Sequence, residues 1–369
     1  NLVDFTINSK GINNPKLKWE INTPKTEKSA ESQEEYTGIY YQGAHSKDVN
    51  YTWNEEDYKA SDWRSWYKFW GEEDNRELSW IAFKQQFFST IISSKNKSFD
   101  ENIKFKAVKS ENEENVKSLG IETPIDNGIN EYSIYFGPNS YEKLKAYDKS
   151  YEEIIPLGWG IFGWVNRVIV INLFDFLSKF GYSYGLIILL LTLIIKIGLS
   201  PFTYKAYLSQ AKMKVLKPEI DKINEKHKKK DPMKAQQETM GLYRKAGVNP
   251  MGGCLPMLFQ FPILIAMFRF FPASLELRQE SFLWADDLSA YDVIFPNLSF
   301  DIPFYGDHIS LFTLLMTIST LMYTHMNSST MASTGPMAQM KWMMYLMPIM
   351  FLGFFNNYAA GLSYYYFLA

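Results

Sequence analysis

The chain has 369 residues, 46% of them apolar, 17% aromatic and 21% charged, with a formal net charge of −2. One cysteine excludes an intrachain disulfide, and with four scattered histidines it gives no metal-ligand spacing. No P-loop, HExxH or cysteine cluster occurs, so no metal, cofactor or nucleotide chemistry is expected.

The near-neutral total hides two unlike halves. Residues 1–155 carry 20 Lys+Arg against 27 Asp+Glu, net −7, while the remainder carries 18 against 13, net +5. Up to Glu153 the chain is charged, aromatic and strand-like. From Leu157 it is mostly apolar with long uncharged runs. This contrast predicts an acidic soluble domain followed by a membrane domain. The chain begins at Asn1 and ends at Ala369 inside an apolar run, so further membrane segments are expected beyond both ends.

In the first half, Leu2–Ile7, Leu17–Ile21, Gly38–Tyr41, Ile103–Val108 and Tyr132–Phe136 are short alternating or β-rich runs. Polar segments with Asn, Gly and Pro separate them, which predicts an antiparallel sheet or sandwich. Ser79–Ser93 reads either as one long central strand or as two strands around Gln85–Gln86. Glu142–Asp148 reads as a short helix packed on the sheet.

Leu157–Phe180 is predicted to be a helix with a broad apolar surface of Trp159, Phe162, Trp164, Val168, Ile169, Leu173 and Phe176. Asn172, Asp175 and Lys179 recur on the other side. That pattern suits a helix lying in a membrane interface, with a first spanning helix as the alternative.

Tyr184–Tyr204 is long enough to span a bilayer, which takes about 20 residues. Lys196 lies roughly 18 Å along it at about 1.5 Å per residue. An ammonium at that depth costs about 2.5–3.5 kcal/mol on insertion scales. Either its stem snorkels to the headgroups, or it faces water or a partner inside the protein. Thr192 and Ser200 stand at i−4 and i+4, so the three side chains share one helix face.

Lys205–Pro250 holds twelve basic residues, among them Lys212, Lys214, Lys228, Lys229, Lys230 and Arg244, against five acids. Two helical stretches flank Lys230–Pro232, which predicts a helical hairpin. Its positive charge places it on the cytoplasmic side. Further spans are expected at Ala246–Phe268, Ile309–Met326, Lys341–Phe355 and, cut short, Gly361–Ala369. With the hairpin inside, the first half lies outside.

Thr313, Thr317, Thr320 and Thr324 fall on one face of the Ile309–Met326 helix, and Gln260 is the central polar residue of its span. Single threonines often bond to their own helix. Together with Lys196, Thr192 and Ser200, the set points to a shared hydrated and weakly cationic recess. No carboxylate occurs in a predicted span, which argues against a proton- or cation-coupled transporter. A mere structural anchor would not need aligned polar faces.

LSPFTYKAYLSQAKMKVLKPEI (Leu199–Ile220) and GLYRKAGVNPMGGCLPMLFQFPI (Gly241–Ile263) closely resemble the YidC family of bacterial membrane protein insertases. WIAFKQQFF (Trp80–Phe88) and YFGPNSYEKLKAY (Tyr135–Tyr147) are similar to the periplasmic domain of its Gram-negative members. The resemblance implies a multi-domain membrane protein. A β-sandwich, supersandwich-like periplasmic domain is expected at 1–155, an interfacial amphipathic helix at 156–181, and a transmembrane helical bundle at 182–369 with a cytoplasmic helical hairpin at 205–250. It also implies a hydrophilic groove closed to the periplasm but open to cytoplasm and lipid, with Lys196 where the family usually has arginine and Gln260 at a groove-lining position. The implied partners are nascent membrane proteins, the phospholipid bilayer, the SecYEG translocon and the ribosome. Enzymatic activity and direct nucleic-acid contact are not implied.

Overall fold

The computed structural model describes residues 1–44, 46, 48–52, 77–99, 103–227, 232–247, 255–294, 308–328 and 336–369. It divides into two compact units, Asn1–Pro156 with Ala273–Leu275, and Leu157–Pro272 with Glu276–Ala369.

The first unit is a sandwich of antiparallel sheets. Its elements are β1 (Leu2–Ser9), β2 (Lys16–Pro24), α1 (Ala30–Tyr36), β3 (Gly38–Gly43), β4 (Val49–Thr52), β5 (Leu78–Lys84), β6 (Phe88–Ser94), β7 (Lys104–Lys109), β8 (Asn115–Pro124), β9 (Gly128–Pro138) and α2 (Tyr141–Lys145). Six strands pair in the order β1-β9-β6-β5-β3-β4, and three in the order β2-β8-β7. The odd-numbered positions of β5, Ile81 and Phe83, turn towards the smaller sheet. There Trp19 stacks on Phe83 at 4.0 Å and Tyr41 on Phe105 at 5.0 Å. Ile39, Ile92, Leu119, Ile121 and Tyr132 fill the same core. Trp80, next to Ile81 in sequence, faces the other way and meets Tyr151 edge-on at 5.4 Å. Its indole N–H donates to the Lys149 carbonyl at 2.9 Å.

The two readings of Ser79–Ser93 resolve in favour of two strands. The Gln85 amide donates to the Phe88 carbonyl at 2.9 Å, and β6 runs back along β5 with Lys84 opposite Ser89. Three elements are additional to those expected: α1, β4 and β8. In β8 the alternation is broken by Lys117, a buried lysine whose ammonium donates to the Thr37 carbonyl at 3.0 Å. The helix α1 begins at Ser29, whose hydroxyl accepts from the Ser32 amide at 3.2 Å.

The second unit is helical: α3 (Gly160–Val165), a π turn (Asn166–Val170), α4 (Ile171–Ser178), α5 (Tyr184–His227), α6 (Pro232–Lys245), α7 (Leu255–Ala273), α8 (Leu311–Ser328), α9 (Pro336–Phe355) and α10 (Ala360–Leu368). Among the described residues, two helical stretches are long and apolar enough to cross a membrane, Gly160–Ser178 and Tyr184–His227. Phe259–Ala273, Leu311–Met326 and Met343–Phe355 are shorter apolar helices.

Two predicted boundaries need correction. The Lys196 helix does not stop near Tyr204 but continues as one 44-residue helix into the first arm of the hairpin. Pro201 and Pro218 lie inside it and each removes one backbone donor, yet neither ends it. The span expected at Ala246–Phe268 begins later, because Ala246 and Gly247 form a turn after α6 and α7 runs to Ala273. Residues 248–254 lie outside the described part.

The Leu157–Phe180 segment is apolar on two sides. Trp159, Trp164, Val168 and Phe176, expected on its apolar surface, are exposed. A second face of Val165, Asn166, Val170, Ile171, Phe174 and Leu177 is buried. At its centre the Asn166 amide donates to the carbonyls of Leu157 (2.6 Å) and Ala266 (2.9 Å). In the π turn the Ile171 amide bonds to the Asn166 carbonyl, and the Asn172 side-chain amide donates to the carbonyls of Arg167 (3.1 Å) and Val168 (2.9 Å).

Candidate functional site

Ile187, Ile188, Leu191 and Ile195 form the buried side of α5, at the spacing of one helix face. Lys196 stands at the edge of that side and is half-buried. Its ammonium donates to Oε1 of Gln260 on α7 at 3.1 Å. An ammonium has three donors. Among the described residues Gln260 is the acceptor it meets, so further donors are left for water or a visiting group.

A second contact joins α5 and α7 beside this pair. Phe202, six residues after Lys196, packs on Phe259, one residue before Gln260, with ring centroids 4.4 Å apart. In the other direction along α7, the Tyr366 hydroxyl of α10 donates to the Leu264 carbonyl at 2.8 Å. The Lys196–Gln260 pair therefore lies between an aromatic contact on the hairpin side and a tyrosine tie beyond it.

The predicted polar face divides when its hydrogen bonds are followed. Thr192 is buried and donates to the Ile188 carbonyl of its own helix at 2.7 Å. Thr317 and Thr320 likewise return to the carbonyls of Thr313 (2.9 Å) and Met316 (2.8 Å). Ser200 is exposed. Thr313 reaches across helices instead, donating to the Phe355 carbonyl at 3.2 Å with the Ser363 hydroxyl at 3.0 Å. The geometry thus brings Lys196 and Gln260 together and ties the threonines elsewhere.

In the hairpin, Lys212, Lys214 and Arg244 are exposed. Lys228, Lys229 and Lys230 lie outside the described residues. The two arms meet where His227 approaches Glu238 at 3.1 Å and Lys226 approaches it at 3.9 Å.

Two features escape a reading of the sequence. One is Tyr366, which looks like one more aromatic in an apolar run until its hydroxyl partner is seen. The other is a buried network around Asp292, with Ser310, Thr313, Asn356 and Trp284. Ser310 directly before the apolar run of α8 is the available signal, since its hydroxyl accepts from the Thr313 amide at 3.1 Å as a helix N-cap does. Two short glycine patterns, GxGxxG at 158–163 and GxSxG at 181–185, do occur in the sequence. The first opens α3 and the second ends in the first residues of α5; neither follows a strand, so neither has the strand-to-helix turn its chemistry needs.

Among known families, the model described as "60Kd inner membrane protein" matches residues 176–369, more than half of the chain. The one described as "YidC periplasmic domain" matches residues 4–171. The chain is similar to the membrane protein insertase YidC of Bacteroides fragilis (strain YCH46), 49% identical over 313 residues that cover 80% of this chain and 50% of that protein. It is similar to those of Phocaeicola vulgatus, 41% identical over 393 residues covering 100% and 60%, and Porphyromonas gingivalis (strain W83), 42% identical over 379 residues covering 96% and 57%. The chain therefore spans 50–60% of the length of these curated relatives.

Proposed function

The chain belongs to the YidC family of membrane protein insertases, and from that premise we propose that it inserts nascent membrane proteins and helps them fold, with the Lys196–Gln260 recess receiving their polar ends. The observation that carries this reading is a half-buried ammonium in an apolar helix, held at 3.1 Å by a side-chain carbonyl of the neighbouring helix. A polar group crossing hydrocarbon without a partner costs several kcal/mol, on the order of 2–7. A recess that offers a cation, an amide and water lowers that barrier.

In this reading the apolar stretch of the incoming chain lies against the exposed faces of α8 and α9, where Ile318, Met322, Leu346 and Met350 project. Unbranched methionines adapt to varied apolar partners. The short hydrophilic tail, often acidic, enters the recess and is drawn to Lys196. The apolar stretch then moves sideways into lipid, and its burial supplies the driving free energy. No bond is broken and no nucleotide is consumed, so the protein acts without being an enzyme. An arginine at this position would clamp a carboxylate with two parallel hydrogen bonds, whereas lysine offers a point charge. Transient, non-specific capture suits the point charge.

The same reading sets the topology: a multi-pass protein of the bacterial inner membrane with the β-sandwich in the periplasm and the basic hairpin in the cytoplasm. Exposed Lys212, Lys214 and Arg244, with Lys228, Lys229 and Lys230 between the arms, recruit the ribosome, anionic headgroups or the nascent chain. The β-sandwich contacts partners such as the SecYEG translocon. The test is Lys196→Ala in the full-length protein, read by insertion of single-span substrates and by solute uptake. Loss of insertion supports the proposal; intact insertion with failed uptake would identify a transporter instead.

A further inference from the structure

At the end of the helical unit away from the α5–α6 hairpin, a buried polar network joins several parts of the chain. Asp292 is its hub and is 1% exposed. One carboxylate oxygen accepts from the Ser310 hydroxyl at 2.5 Å. The other accepts from the Trp284 indole at 2.8 Å and from the backbone amides of Leu311 (2.9 Å) and Phe312 (3.1 Å). Those amides open α8, where a negative charge also meets the positive end of the helix dipole. The Thr313 hydroxyl lies 2.8 Å from that of Ser310 and 3.0 Å from that of Ser363 on α10. Asn356, in the turn between α9 and α10, accepts from the Ser310 amide at 3.0 Å and donates to the His308 carbonyl at 2.9 Å. Two backbone bonds complete the tie, from Ala360 to Ala290 (2.7 Å) and from Gly361 to Leu288 (2.9 Å).

Helices in lipid gain little from the hydrophobic effect when they pack together, so polar ties between them decide which ends stay joined. Here the ties converge on the start of α8 and the start of α10. Further along α8, Thr317 and Thr320 bond to their own helix. Ser363 is three residues before Tyr366, so both stand on neighbouring positions of one helix face. Tyr366 holds the α7 carbonyl of Leu264, one turn beyond Gln260. Fixing α10 at Ser363 therefore fixes the tyrosine that bounds the recess.

We propose that Asp292 is the positioning residue behind the closure that the family resemblance implies: it clamps the starts of α8 and α10 to the 284–292 loop, and so holds the Lys196–Gln260 pair shut off from the end of the unit opposite the hairpin. The inference rests on reading that pair as the polar site of insertion, but closure can be measured without measuring insertion. A one-sided recess lets a hydrophilic tail enter without opening a water path through the membrane.

The experiment uses the full-length protein with Cys254→Ser and Gln260→Cys, in right-side-out and inverted membrane vesicles, and a membrane-impermeant maleimide. With Asp292 intact, the thiol introduced at position 260 is labelled only from the hairpin side. With Asp292→Ala, labelling from the opposite side is gained, and hydrogen exchange at Leu311 and Phe312 loses its protection. Ser310→Ala combined with Trp284→Phe removes two donors while leaving the carboxylate, and gives the same gain if Asp292→Ala does not accumulate. Three results overturn the proposal: labelling from both sides in the intact protein, labelling from the hairpin side alone once the clamp amides are unprotected, or protection retained in Asp292→Ala. Normal insertion by Lys196→Ala would instead remove the function proposed for the recess and leave the labelling result standing.

Discussion

The Lys196 ammonium and the Gln260 side-chain carbonyl meet at 3.1 Å across α5 and α7, so the two strongest polar groups of the predicted apolar stretches share one site. Polar patterning assigns both to one recess; the direct contact between them, across 64 positions of sequence, is what the structure adds. Replacing Gln260 by Leu leaves the half-buried ammonium without its acceptor, at a cost of about 1–3 kcal/mol. Insertion of substrates with acidic tails is expected to fall in Gln260→Leu and to fall further, by about tenfold or more, in Lys196→Glu, a tenfold loss being about 1.4 kcal/mol in the barrier. Lys196→Arg retains insertion. Equal losses for neutral and acidic tails would count against an electrostatic role for Lys196.

Lys84 carries a prediction about pH. It is fully buried in β5, donates to the Tyr36 carbonyl at 2.9 Å, and lies over the rings of Tyr36 and Tyr40. Burial pushes its ammonium down to about 7 from 10.5. Between those values the unfolded chain binds a proton that the folded one does not, so stability rises with pH from about 7 to about 10 and is flat below. Denaturant unfolding followed by tryptophan fluorescence across that range should show the rise, on the order of 5 kcal/mol at most. Lys84→Met should abolish the slope and stabilise the protein at pH 7. A pH-independent midpoint for the unaltered chain would refute this account.

Asn166 pins the α3–α4 segment to α7. Asn166→Ala leaves the carbonyls of Leu157 and Ala266 without its amide and is expected to lower stability by about 2–4 kcal/mol. Asn166→Asp should be worse than alanine, because a carboxylate facing two carbonyls has no hydrogen to donate. Thermal unfolding in detergent ranks the two, and aspartate matching the unaltered protein would show that the amide is not the pin.

Gly185 opens α5 under the ring of Phe282, which a Cβ at that position would strike. Gly185→Ala is therefore expected to destabilise the protein by about 1–3 kcal/mol, as overpacking does. Phe282→Ala in the same chain should recover part of that loss, a coupling that a double-mutant cycle measures. Strictly additive effects would mean that the ring moves aside freely.

Alternation and turn residues make β1, β2, β7 and β9 legible, because packed positions alternate with more exposed ones along much of each strand, whereas β3 has no exposed position and is read from its β-rich composition. Lys117 hides β8, since a lysine in a strand normally marks the solvent side, and here it is buried to serve a helix-end carbonyl. In the second half, apolar runs give the helices, but not where α5 ends, because proline signals a break only when no neighbouring packing holds the helix together. The apolar surface of Leu157–Phe180 is read from its large aromatics, which are exposed. The packing face turns on Asn166, a residue type that sequence patterns assign to the outside. Hydroxyl groups are least legible of all: Thr192, Thr313, Thr317 and Thr320 share a residue type and a spacing, yet of these four Thr313 alone reaches another helix, and that choice depends on which carbonyls are free nearby.

The most direct measurement places a photocrosslinking amino acid at Gln260 in the full-length protein and stalls a single-span substrate during insertion. The account predicts crosslinks to the hydrophilic tail of the nascent chain, fewer of them with Lys196→Glu, and few from a probe at exposed Trp159 on the α3–α4 segment. Crosslinks absent at Gln260 while insertion proceeds would contradict it.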